Sequence, residues 1–204
     1  MRESAAMTAA PTIDDVRAAL AGNAPSERRE SSLREQAAVA AVLRPGAGGL
    51  ELLFIRRAEH PRDPWSGQMG WPGGRLDEAD PSPLATAVRE TREELGLDLD
   101  RDAEFLGALP EVRTHLRRAG VPHWVAPFVF AIAGDPVLAL NHEVREALWV
   151  PLAFLLDHGN RSRFVWTGRG VPLLLPCYRF EGRIIWGLTL RMLDDLLAAL
   201  RSAT

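Results

Sequence analysis

The chain has 204 residues, 47% apolar and 25% charged, which suits one globular domain with short extensions and excludes a disordered or fibrous chain. A net charge of −3 excludes a broad electrostatic pull toward nucleic acid or anionic membrane, so neither is expected as a partner. A phosphate-bearing ligand must then be met locally, by a bound cation or a few arginines.

The lone cysteine, Cys177, leaves no disulfide framework and no multi-cysteine zinc site, and between Pro176 and Tyr178 it reads as a small buried residue. The first seven residues lack the apolar core of a signal peptide. The most apolar run, Trp124 to Ala133, is too short to span a bilayer as a helix. A cytoplasmic location is expected by default.

In chain order, residues 1–35 read as an N-terminal extension. Thr12 caps a short helix with an apolar face of Ile13, Val16, Ala19 and Leu20, and Asp14 and Asp15 suit its first turn. A polar linker follows over 22–35. Ala37–Leu43 and Leu50–Ile55 are apolar runs separated by Pro45–Gly49, the pattern of two strands joined by a turn. A long loop then carries Pro61, Pro64, Gly67, Gly70 and Pro72–Gly74. Its two tryptophans, Trp65 and Trp71, argue against disorder there.

The strongest helix signal runs from Ser82, an N-cap before Pro83, to the stop at Gly96. Leu84, Val88, Thr91 and Leu95 form its core-facing stripe. Strands are expected at Phe105–Leu109, Trp124–Ala133, Ala147–Val150, Arg163–Trp166 and Leu173–Phe180. A short helix is expected at Pro151–Asp157 and an amphipathic one at Leu188–Leu200. Strands on both sides of a helix, without a repeat, predict an α/β layered domain over 36–200.

Chemistry concentrates in Arg89-Glu90-Thr91-Arg92-Glu93-Glu94. At roughly 100° per residue, Glu90, Glu93 and Glu94 share about a third of the helix circumference, which predicts three carboxylates on one exposed face. Such a cluster costs helix stability and suits a hard cation such as Mg²⁺. Gly73-Gly74, upstream, is placed to bring a bare carbonyl to the same carboxylates.

These residues carry a resemblance. Gly74, Asp80 and Arg89 to Leu97 resemble the signature of the Nudix hydrolases, G-x5-E-x7-R-E-U-x-E-E-x-G-U. The departures are Thr91 at the apolar position, Asp80 for the first Glu, and one extra residue between Asp80 and Arg89. Leu52–Ala58, Arg62, Gly67 and Trp71–Gly74 are similar to the extra motif of the coenzyme A pyrophosphatase branch, as are Asn141–Val144, Leu148–Leu152 and Ile185–Thr189.

The resemblance implies an α/β/α sandwich with a mixed central sheet and attack of a metal-activated water on a diphosphate. It implies Mg²⁺ or Mn²⁺ held by Gly74, Glu90 and Glu94, with Glu93 binding a further ion or orienting the water. Arg89 holds the carboxylates in place. Glu143 is the candidate for a further carboxylate reaching in from a loop, with Glu146 as its competitor. Arg57 and Arg62 are candidate substrate contacts, aimed at the 3′-phosphate of coenzyme A. The implied substrate is coenzyme A or a thioester of it. ADP-ribose, NADH or another nucleotide derivative is the alternative within the enzyme class, and a non-catalytic nucleotide sensor the alternative outside it. The oligomeric state is not legible.

Overall fold

The structure, a computed structural model, describes residues 10–25, 27, 33–61, 65–114, 124–168, 170 and 172–202. The short helix expected at the N-terminus is α1 (Ile13–Leu20). Thr12 caps it reciprocally with Asp15, and Val16 and Leu20 are buried. The chain then enters the sheet. The apolar run from Gln36 is β1 (Gln36–Gly46), and β2 (Gly49–Arg57) returns antiparallel after a turn of only Ala47 and Gly48, tighter than the expected Pro45–Gly49.

Three further elements complete the first half. The long loop after β2 is broken by β3 (Met69–Gly70) and β4 (Gly73–Arg75), which glycine-rich sequence hides. The signal helix is α2 (Pro83–Leu95), with Ser82 accepting from the Ala85 N–H and Gly96 left-handed at φ 67°.

The rest follows the expected order with small additions. A one-turn helix α3 (Leu99–Asp102), capped by Asp98, precedes β5 (Ala103–Ala108), β6 (Val112–Arg113), β7 (Trp124–Ile132) and β8 (Val144–Pro151). Then come α4 (Leu152–Leu156), β9 (Arg161–Trp166), β10 (Leu173–Phe180), β11 (Arg183–Ile185) and α5 (Gly187–Ser202). Pieces as short as α3, β6 and β11 leave too few residues for a periodic signal.

The central sheet is mixed. β1 runs parallel to β7 and antiparallel to β2 and β4, while β8 and β3 flank β2 and β5 and β6 flank β7. β9, β10 and β11 form a separate antiparallel sheet. Both faces of the central sheet are covered, so β1 is apolar nearly throughout instead of alternating. Ala41, Leu43, Leu52 and Phe54 pack under α1, α4 and α5. Ala40, Val42, Leu53 and Ile55 pack under α2. The architecture is an α/β/α sandwich, and α1 shares the core of the α5 layer through Val16 and Leu20. Cys177 is fully buried, as expected. Among the described residues no helix is long and apolar enough to cross a membrane.

Candidate metal-binding hydrolytic site

Val88, Thr91 and Leu95 fix the rotation of α2 by burying against the sheet, with Leu84 half-buried beside them. Thr91 fits the apolar position of the signature because its hydroxyl donates to the Ala87 carbonyl at 2.7 Å, so no polar atom is stranded in the core. This rotation turns Glu90 and Glu94 toward β4.

The expected shared exposure of the three glutamates does not hold. Glu94 is 1% exposed, whereas the Glu90 and Glu93 side chains are 17% and 54% exposed. The cause lies in elements that helix geometry alone does not include. β4 closes over Glu94, whose Oε2 accepts the Gly73 N–H at 2.9 Å, and the 139–141 loop takes the C-terminal carbonyls of α2. Ala139 N–H donates to Leu95 O at 2.8 Å and Asn141 N–H to Glu94 O at 3.0 Å. Burial pushes the Glu94 carboxyl up to about 8, although the Gly73 N–H and the Arg57 charge oppose the rise. Burial also raises Glu90, against the pull of Arg89. The charges of Glu90 and Glu143 add to the rise at Glu94.

Glycine at 73 and 74 is a steric necessity. A Cβ on Gly74 would stand 2.4 Å from the Glu90 carboxylate, and one on Gly73, at φ 148°, would stand 2.2 Å from the Ala38 carbonyl. The backbone therefore lies directly against two carboxylates.

Arg89 organises the cluster. Its Nε and Nη2 each lie 2.9 Å from an oxygen of Asp80, its Nη2 reaches the Arg75 carbonyl, and its Nη1 lies 2.9 Å from Glu90 and 3.3 Å from Glu93. Asp80, 4% exposed, also accepts from the Thr86 hydroxyl and the Asp77 N–H. The Arg89 guanidinium, above all, holds the Asp80 carboxyl down to about 2. Sequence reasoning treated Asp80 only as a departure from a pattern and missed that it anchors Arg89. The bidentate geometry accommodates the shorter side chain and the extra residue together.

A prediction follows for Asp80→Asn. The folded carboxyl titrates near 2 against an ordinary 3.8, so the pair contributes above about pH 4 and its contribution is lost as pH falls toward 2. The variant should lose about 2 kcal/mol at pH 7, or roughly 4–8 °C in Tm, and show a smaller loss at pH 3. Equal denaturation midpoints for the two proteins at pH 7 would refute the role.

Glu143 is brought to the cluster and Glu146 is not. The Ala58 N–H donates to the Glu143 carbonyl at 2.7 Å, and the Glu143 N–H donates to Asn141 Oδ1 at 2.8 Å. The loop is thus tied to β2 and to α2 at once, and the Glu143 charge acts on both Glu90 and Glu94. Glu146 instead forms a two-point pair with Arg183 and approaches Arg56. Asn141, which sequence reasoning quoted only as part of a motif, is the residue that sets this loop.

Arg57 acts on Glu94 from β2. Arg62 lies outside the described residues. Trp71 is buried against Phe54, and Trp65 and Trp124 are half-buried. Trp124 lies under the Arg113 guanidinium, 5.4 Å from it.

The donor set fits a hard cation. It is all oxygen, the buried Glu94 carboxylate has no direct ion pair among the described residues, and the bare backbone of Gly74 abuts Glu90. Among the described residues no three acidic, His or Cys side chains come together as a group able to hold a metal ion by themselves. An open half-site of this kind suits an ion that keeps waters and takes substrate oxygens.

Fold and site together define an α/β/α sandwich that carries an oxygen-donor carboxylate cluster against a bare glycine backbone. The NUDIX domain family model matches residues 34–166, and the chain belongs to the Nudix hydrolase family. It is 31% identical over 188 residues to an uncharacterized Nudix hydrolase, NudL, of Escherichia coli, an alignment covering 91% of this chain and 93% of that one. It is 40% identical over 114 residues to an uncharacterized protein of Schizosaccharomyces pombe, covering 52% of this chain but only 33% of that protein. A MutT/nudix family protein from Enterococcus faecalis shares the fold, with a TM-score of 0.52 at 19% identity over 87% of this chain and 64% of that one.

Proposed function

We propose that the chain hydrolyses the pyrophosphate bond of a nucleoside-diphosphate-linked metabolite with Mg²⁺ or Mn²⁺, and that this metabolite is coenzyme A or one of its thioesters. The products are then 3′,5′-ADP and phosphopantetheine or its acylated form. The observation that carries the reading is the buried Glu94 beside Glu90, both pressed against Gly73-Gly74. Such a carboxylate is costly to bury unless a cation answers it.

In this reading the Gly74 carbonyl, Glu90 and Glu94 hold the metal, which when bound neutralises diphosphate charge and acidifies water. Glu93 binds a further ion or orients the water. Glu143 accepts a proton from the attacking water, a reading supported by the hydrogen bonds that hold its loop. Arg89 is a positioning residue that sets Glu90. Arg57, first expected at the 3′-phosphate, is assigned to the diphosphate instead because its charge acts on Glu94, and Arg62 is kept as a second substrate contact. The hydrolytic unit spans 36–200, with α1 bracing its α5 layer.

The test is incubation with coenzyme A, ADP-ribose and NADH plus Mg²⁺ or Mn²⁺, with products identified by mass. Cleavage of ADP-ribose or NADH with coenzyme A untouched would move the substrate to the alternative. Chelator should abolish turnover while leaving far-UV dichroism unchanged, since the fold is held by an ordinary core on both sheet faces. Collapse of the spectrum in EDTA would show instead that the ion is structural.

A further inference from the structure

A cavity of about 650 Å³ opens beside the end of β2, away from the carboxylate cluster. Arg56, Met69, Arg145 and Glu146 line it from β2, β3 and β8. Arg183 and Trp186 line it from β11 and the start of α5. That second wall lies beyond residue 166, where the family match ends.

The cavity and the catalytic cluster share a strand. Arg56 and Arg57 are consecutive at the end of β2, where its pairing with β8 shifts register. Arg57 acts on Glu94, and Arg56 enters the cavity. Met69 precedes Gly73 by four residues, a span of at most about 14 Å even when fully extended. One dinucleotide-sized ligand can therefore reach both.

The arginines differ in how they are engaged. Arg183 is committed: its Nε and Nη2 bond both oxygens of Glu146 at 3.2 and 2.7 Å, and its Nη1 donates to the Glu181 carbonyl at 2.6 Å. Arg56 is held only by Nε, which donates to the Gly67 carbonyl at 3.3 Å. Its two amino groups stand 3.8 Å from Glu146 and 3.9 Å from Glu59, attracted but beyond hydrogen-bond length. The Arg56 side chain is 34% exposed, so a positioned guanidinium faces the cavity with donors to spare. Arg145 makes one bond of 3.4 Å to Glu59 and is otherwise solvent-facing.

We propose that this cavity receives a phosphomonoester carried on the nucleoside half of the substrate, gripped by Arg56 and Arg145, with the C-terminal hairpin forming the wall that sets substrate choice. The proposal rests on the pyrophosphohydrolase reading above and deepens it. Coenzyme A carries such a phosphate on its ribose, and ADP-ribose and NADH do not. A guanidinium fork matches a phosphate dianion through parallel hydrogen bonds, and Arg183 is held against Glu146 as a fixed part of the wall.

Titration calorimetry in EDTA at 0.15 M salt, with adenosine 3′,5′-bisphosphate against adenosine 5′-monophosphate, separates this from the catalytic reading, because neither metal nor turnover is needed. The parent should bind the bisphosphate about ten- to a hundredfold more tightly. Arg56→Gln should reduce that preference below about threefold. Arg145→Gln, at a more exposed position, should cut it several-fold and serves if the first variant does not fold. Equal affinity of the parent for both nucleotides, or full preference retained in a folded variant, overturns the proposal. A parent that prefers the bisphosphate but leaves coenzyme A intact would overturn the substrate reading and keep the cavity.

Discussion

Glu94→Gln should abolish turnover and, in chelator, leave the protein at least as stable as the parent. The second half of that expectation comes from the structure. A metal ligand on an exposed helix face would leave stability untouched either way, but Glu94 is 1% exposed and its carboxyl titrates near 8 against an ordinary 4.5. A folded pKa raised above the unfolded one means the metal-free fold loses stability as pH rises from about 4.5 to about 8. At pH 7 the accumulated cost is about 3 kcal/mol. Glutamine removes it and keeps an oxygen for the Gly73 N–H.

The metal-free parent should therefore lose Tm between pH 5 and 8, and the variant should lose less. Mg²⁺ should raise the Tm of the parent, since a ligand bound only by the folded state stabilises it, and should do little for the variant. A turnover loss of several orders of magnitude is expected if Glu94 is the proposed ligand, because glutamine lacks the charge that would hold the cation. Near-parental activity at limiting Mg²⁺ would remove Glu94 from the metal site. A lower metal-free Tm would show that the carboxylate is ionised and structural instead.

How much of this was legible in the sequence depended on the range of the interaction. α2 was readable to the residue because its signals are local: Ser82 and Pro83 at one end, Gly96 at the other, and a stripe at helical spacing between. The carboxylate cluster was readable as a cluster for the same reason. Its gradient of exposure was not, because β4 and the 139–141 loop bury Glu94 and both come from elsewhere in the chain. Asp80 shows the same limit in a milder form. Eight residues separate it from Arg89, so nothing periodic links them, and only the turn that delivers Asp80 reveals the two-point pair. The choice between Glu143 and Glu146 depended on the start of β8 and on which charges face each side chain. The cavity wall from β10 and β11 was beyond reach, because its sheet pairing is tertiary.

Glu143→Gln is the sharper test of mechanism. Glu143 is half exposed, which alone would suit an ordinary loop charge. Against that, three backbone contacts hold its loop. Asn141 N–H bonds the last turn of α2, Asn141 Oδ1 accepts the Glu143 N–H, and the Glu143 carbonyl closes onto Ala58 at the end of β2. A surface charge needs no such anchoring, and the result is a third carboxylate whose field is felt by both buried glutamates. If its task is to take the proton of the attacking water, loss of the charge should lower kcat by about 10²–10⁴-fold. KM and the Mg²⁺ concentration for half-maximal rate should stay within a few-fold. Glu90→Gln, by contrast, should raise the metal requirement as well as lower the rate, because Glu90 sits against the Gly74 backbone, where the proposed function puts the ion. The two variants thus separate a proton acceptor from a ligand. A Glu143→Gln enzyme that recovers full kcat at high Mg²⁺ would make Glu143 a ligand. One that never loses kcat would return it to the solvent, and the water would need another base among the carboxylates of α2.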